Sequence, residues 1–160
     1  MIQRPQSIFI TIIIIGMIAL FFLPIWQKID KNCNTYIIYL YNLQKINSSG
    51  EVLKIIFLPY YFIGCILSVL IILISIYQLL NYKKRLLQIK LSFVNTLTIS
   101  SLLGFYIYLS IKNENLIISN IQGEYQIGFI IPIICMICNI IANRFIKRDE
   151  YIIQSSENIS

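Results

Sequence analysis

The sequence predicts an all-α membrane protein: four transmembrane helices in one bundle, N- and C-termini cytoplasmic, with a short β-hairpin as one reading of the first outer loop. Three observations predict it. Apolar residues make up 58% of the chain and charged ones 12%, against about 45–50% and 25% in soluble domains. Four apolar runs, 8–26, 55–80, 91–111 and 127–143, hold no Asp, Glu, Lys or Arg. Each approaches the roughly 20 residues that a helix needs to cross the hydrocarbon. Lys and Arg gather between and after particular runs, which sets the orientation. The 160 residues then read as a single domain.

The first run, "IFITIIIIGMIALFFLPIW", follows "MIQRPQS" with its single Arg4. It exceeds a signal-peptide core and no A-x-A site follows, so it reads as a retained span. Residues 27–54 form the longest loop. "TYIIYLYNL" has strand propensity, and Asn47-Ser48-Ser49-Gly50 is turn chemistry. A hairpin over the outer face and an amphipathic helix at the interface are the two readings. Run 91–111 is the most polar, and residues 144–160 read as an amphipathic cytoplasmic tail. Pro24, Pro59 and Pro132 lie towards the outer ends of their spans and read as structural.

With the N-terminus inside, cytoplasmic segments carry Arg4, Lys83, Lys84, Arg85, Lys90, Arg144, Lys147 and Arg148. The outer loops carry Lys28, Lys31, Lys45, Lys54 and Lys112 in more residues. The net charge of +6 is thereby a topology signal. The expected partners are the bilayer, anionic headgroups at the basic segments, and a membrane-protein partner or a second copy. Nucleic acid is not expected, because the basic surface is small and pressed against the membrane.

The chemistry in the runs is sparse. The chain has no His, which removes the usual neutral-pH acid–base group and metal ligand. No P-loop, HExxH or GxSxG pattern occurs. Cys135 and Cys138 form a C-x-x-C, but with Ala142 they follow helical spacing, which favours close helix packing over thiol chemistry. Gly64 with Ser68, and Ser100 with Gly104, are further small-residue pairs. Gln78, Asn95, Asn139 and Asn143 fall near the cytoplasmic ends of their spans, beside Arg4 and Gln6. With Arg144 and Asp149 they form the candidate site: Arg4, Gln6, Gln78, Asn95, Asn139, Asn143, Arg144 and Asp149. Amides in lipid seek each other, so inter-helix hydrogen bonding and a polar docking surface are the two readings.

Three stretches taken together, "MIQRPQS", "KKRLLQIKLSFVN" and "NRFIKRDE", resemble a family of uncharacterised bacterial four-span membrane proteins, the domain of unknown function numbered 4293. The matching positions are Ile2, Gln3, Arg4, Gln6, Leu87, Gln88, Ile89, Asn95, Ala142, Asn143, Arg144, Ile146, Asp149 and Glu150. Pro5 stands where an apolar residue is expected, and the tail lacks the family's basic ending. The resemblance implies a four-span fold and a bacterial inner-membrane location, and it supplies no activity. The expectation is therefore a multi-pass, non-catalytic structural or accessory subunit of a membrane complex, without catalytic residues, cofactor or metal. The alternatives are a membrane thiol protein using Cys135 and Cys138, or a small lipid- or ligand-binding module.

Overall fold

The computed structural model describes residues 5–56, 59–81, 84–117 and 122–157. Helix α1 spans Pro5–Ala19, and four strands follow: β1 Trp26–Ile29, β2 Thr35–Ile38, β3 Leu43–Ile46 and β4 Val52–Ile56. Then come α2 Tyr61–Leu80, α3 Arg85–Leu116, β5 Glu124–Tyr125 and α4 Ile127–Glu157. The helices pack as a closed ring in the order α1, α2, α3, α4. The strands form one antiparallel sheet, ordered β4-β3-β2-β1-β5. Since β1–β4 join α1 to α2 and β5 joins α3 to α4, the sheet lies at one end of the ring. The start of α1, the α2–α3 turn and the end of α4 share the other end.

This corrects the all-α four-span expectation in two ways. The chain carries a five-stranded sheet, and only three described helices are long and apolar enough to cross a membrane: Tyr61–Leu80, Arg85–Leu116 and Ile127–Ile152. The apolar helix Gln6–Ala19 is shorter, about 20 Å at a rise of 1.5 Å per residue. The physical reason lies in run 8–26, which is two structures in one apolar stretch. Its helix closes with Leu20 N–H donating to Gly16 O, a tight turn follows, and Pro24 has no N–H to offer a helix. Leu20, Ile25 and Trp26 are apolar because they are buried where the sheet meets the bundle, not because they continue a span.

The second run splits likewise. Residues 55–56 end β4, and α2 starts only at Tyr61. Residues 27–54 hold a four-strand meander rather than one hairpin. Its turns are local: Cys33 takes a left-handed φ of 57°, Gly50 one of 83°, and Asp30 Oδ1 accepts from Lys31 N–H. Helices α3 and α4, of 32 and 31 residues, outrun their apolar runs. After residue 143 the chain stays helical, since α4 continues to Glu157.

One spacing organises all four helices. The buried positions step by three and four: Gln6, Ile10, Ile13 and Met17 in α1, with Leu20 just past its end; Tyr61, Gly64, Ser68, Ile71, Ser75 and Gln78 in α2. Helix α3 continues it with Gln88, Ser92, Asn95, Ile99, Leu102, Tyr106, Leu109 and Asn113, and α4 with Pro132, Cys135, Asn139, Ala142 and Ile146. A 3.5-residue repeat keeps one seam facing the neighbours, as in a left-handed supercoil. The opposite faces are apolar and exposed, as Ile15, Ile66, Leu73, Phe93, Leu97 and Ile137 illustrate.

The sheet is locked to the bundle by one ion pair. Lys28 Nζ lies 2.7 Å from Glu114 Oε1 and donates to the Glu114 carbonyl at 3.1 Å; the other carboxylate oxygen accepts from Gly123 N–H. The Lys28 side chain is 3% exposed. Trp26 covers this joint, and a Cβ on Gly123 would fall 2.1 Å from the indole, so the close approach requires glycine. Lys28→Met leaves Glu114 without its cation and the sheet unhinged. We expect a loss on the order of 3 kcal/mol, with Lys28→Met/Glu114→Gln recovering part of it; a double-mutant cycle in detergent unfolding measures the coupling.

Candidate functional site

The spacing of the buried seam brings amide and hydroxyl groups together in the half of the bundle away from the sheet. Asn139 is their hub. Its Nδ2 donates to Ser92 O at 2.9 Å and Thr96 Oγ1 at 2.8 Å, and its Oδ1 accepts from Ser92 Oγ at 3.3 Å. This ties α4 to α3. Asn95 Nδ2 donates to Ser75 Oγ at 3.0 Å, and Gln88 Nε2 to Gln78 O at 2.9 Å, so α3 is tied to α2. Ser68, Ser75, Gln78, Ser92, Asn95 and Asn139 have no solvent exposure, and Gln6 and Gln88 almost none. Each is neutral, so the layer puts dipoles but no charge into the interior.

The expected cluster thus divides. Gln6, Gln78, Asn95 and Asn139 point inward between the helices. Asn143 is half-buried, with its Oδ1 in the interior, while Arg144 faces outward. Asp149 is joined through its main chain, where the carbonyl accepts from the Arg85 guanidinium and fastens the end of α4 to the start of α3. Arg4 lies outside the described residues. Ser75, Gln88, Ser92 and Thr96 complete the layer without having been expected there. The signal was available, since Gln88, Ser92 and Asn95 already follow the three-and-four step. Helix face, not distance from the helix end, decides which polar residues enter the layer.

The layer is incompletely paired. Gln78 Nε2 and Oε1, Gln88 Oε1, Asn95 Oδ1 and Asn143 Oδ1 find no hydrogen-bond partner among the described residues. An orphaned buried group costs about 1–3 kcal/mol, so these atoms are where water or a partner's donor gains most.

Cys135 and Cys138 sit in the apolar middle. Both are free and buried; Cys135 Sγ packs where Gly16 leaves room and approaches Ile13 O at 3.9 Å. Of the other small pairs, Gly64 and Ser68 are buried in the seam, whereas Ser100 and Gly104 face outward: Ser100 Oγ approaches Met136 Sδ of α4 at 3.9 Å, and nothing lies within 4 Å of a Cβ placed on Gly104. Among the described residues, no three His, Cys, Asp or Glu side chains gather as a metal site needs.

A family model described as a domain of unknown function (DUF4293) matches residues 2–159. The chain belongs to this family. No curated protein matches it. The DUF4293 family model thus spans both the helices and the sheet, so the sheet is part of the domain rather than an addition to a bundle.

The network predicts a measurable asymmetry in this DUF4293 protein. Asn139→Ala removes three side-chain bonds between α3 and α4, each worth around 0.6–2 kcal/mol in an apolar surrounding. We expect about 2 kcal/mol of lost stability in a denaturant titration in detergent. Ile140→Ala, one position away and facing outward, should change stability by under about 0.5 kcal/mol.

Proposed function

We propose that this protein is a multi-pass integral membrane protein of a bacterial inner membrane, acting as a non-catalytic accessory subunit of a larger membrane complex. The observation that carries the reading is the inversion of the helices. Their interior holds Gln, Asn and Ser among its aliphatic residues, and their outer faces hold Ile, Leu, Val and Phe. Water would favour the reverse, whereas lipid accepts apolar outer faces and drives amides inward. The interior amides bind helices together and do not titrate, which suits a scaffold better than a proton or ion path. The basic end, with Lys84, Arg85, Arg144, Lys147 and Arg148, is placed in the cytoplasm on charge grounds. The sheet then faces outward.

The accessory role is supported by strand β4. It is an edge strand, and no described strand pairs with its outer side. Val52, Leu53 and Ile55 are about half exposed, so both faces of the strand are apolar and open. Such an edge is a template for strand addition. Lys54 stands directly across from Lys45 in the ladder, and Lys45 turns over the Tyr36 ring at 5.3 Å. A second copy paired antiparallel about Lys54 would bring two lysines face to face, which is unfavourable. The occupant that fits is a partner's extended, apolar strand with a carboxylate opposite Lys54.

Two outcomes test the reading. An impermeant maleimide should label the exposed Cys33 in intact spheroplasts; labelling only after lysis would reverse the orientation. A photo-crosslinker at Leu53 should capture a partner segment carrying an acid, and Lys54→Glu should cut that capture about fivefold. Exchange of the captured acid for lysine should restore it. Self-crosslinking alone, or capture indifferent to Lys54→Glu, would sink the accessory role.

A further inference from the structure

Where the sheet meets the bundle there is a cleft of about 590 Å³. This falls within the roughly 300–1,000 Å³ of small-molecule sites. Its walls are Tyr36, Leu43, Ile56, Tyr60, Leu116 and Ile117, from three strands, the approach to α2 and the end of α3. Leu43 and Ile117 join it to the apolar cluster under the sheet, where they are buried with Trp26, Ile38, Tyr61 and Leu109. The rim is basic. Lys31 lines the cleft, Lys45 sits over the Tyr36 ring, and Lys112 stacks on Tyr60 at 4.1 Å. The opposing charge in the lining is Asp30, whose carboxylate is held by the Lys31 N–H in its own turn. Glu114, nearby in sequence to Asn113 of the lining, is already paired with Lys28. An apolar trough with cations behind its aromatic walls suits an apolar body with an anionic head.

We propose that this cleft binds a single acyl chain bearing an anionic head, the chain against Leu43, Ile56 and Ile117 and the acid beside Lys31. The chemistry is shared by a free fatty acid and by one chain of an acidic phospholipid. The site lies where α2 begins and α3 ends, which on the membrane reading is the level of the headgroups. The inference rests on that reading only for the supply of ligand, not for the shape or charge of the cleft. It shares Ile56 with strand β4 but uses none of the exposed residues Val52, Leu53 and Ile55 of that strand.

The test uses the full-length protein in phosphatidylcholine nanodiscs with four photoactivatable probes of equal chain length. These are a diazirine palmitate, a diazirine phosphatidylglycerol, a diazirine phosphatidylcholine and a diazirine alkylamine. Adducts are mapped by mass spectrometry. We expect palmitate, phosphatidylglycerol or both to label the peptides holding Tyr36, Ile56 or Leu116, about fivefold above phosphatidylcholine and the amine. Which of the two acids labels identifies the source. Lys31→Glu should abolish that preference, and Leu116→Trp, at an exposed rim position, should lower labelling of the cleft by all probes. Labelling around the outward-facing Leu73 and Ile137 serves as the internal control. It should be indifferent to headgroup and to both variants. Equal labelling of the cleft by all four probes, or a preference unmoved by Lys31→Glu, overturns the proposal. Loss of labelling at Leu73 and Ile137 with acid-selective labelling of the cleft retained would instead overturn the membrane reading and leave the cleft standing.

Discussion

The fold depends on where a neutral amide can be placed in a chain this apolar. Helices α2, α3 and α4 are apolar on the outside, so a buried aliphatic seam would give them little reason to choose one neighbour over another. Hydrogen bonds supply that choice. Asn139 bonds to Ser92 and Thr96, and Asn95 to Ser75. A slip of one turn would bury these donors without acceptors. The amides therefore fix register, and the three-and-four step carries that register along the seam to Ile71, Ile99 and Leu102, where packing alone suffices.

A second constraint acts at the far end. Four strands must leave α1, cover the bundle and return to α2, while β5 joins from the α3–α4 connection. A sheet this small is marginal alone. It is held because β1 is fastened by Lys28 to Glu114 of α3 and by its ladder to β5. Gln126 N–H and Gly128 N–H bond to the carbonyls of Ile25 and Pro24, which ties the start of α4 to the strand that follows α1. The ion pair is costly to form and more costly to break, so it acts as a joint rather than as a large source of stability.

Much of this was legible in the residues, and the failures have physical causes. Hydropathy found α2, α3 and α4 because their outer faces are uniformly apolar. It overran α1 because buried strand residues such as Ile25 and Trp26 are as apolar as a span. "TYII" and Asn47–Gly50 announced strand and turn, and the meander around them follows from pairing that local propensity does not encode. Strand β5 could not be read, since two residues, Glu124 and Tyr125, become a strand only by meeting Trp26 and Gln27 across the chain. Lys28 reads as a topology charge because its partner Glu114 lies 86 residues away along the chain. Asn143 and Arg144 looked alike as helix-end polar residues. On a helix they stand about 100° apart, which turns one inward and the other out.

The two ends of the bundle now differ in kind. Towards the sheet the seam is mainly apolar: Met17, Leu20, Leu102 and Tyr106 pack beneath Leu40 and Ile25 in one cluster, and its buried polar atoms include the scattered hydroxyls of Tyr61, Ser68 and Tyr106. Towards the termini it holds amides whose oxygens outnumber the donors offered to them. Polar groups left unpaired in this way raise the free energy of the isolated chain, and only water or another molecule's donors can lower it. Had the network served stability alone, Gln78 replaced by leucine would do better, because it would lose no bond from its side chain. That argument favours a role for the amide layer that extends past the bundle. It also locates that role at the end where Arg85 grips the main chain of Asp149, away from both the edge of β4 and the basic cleft.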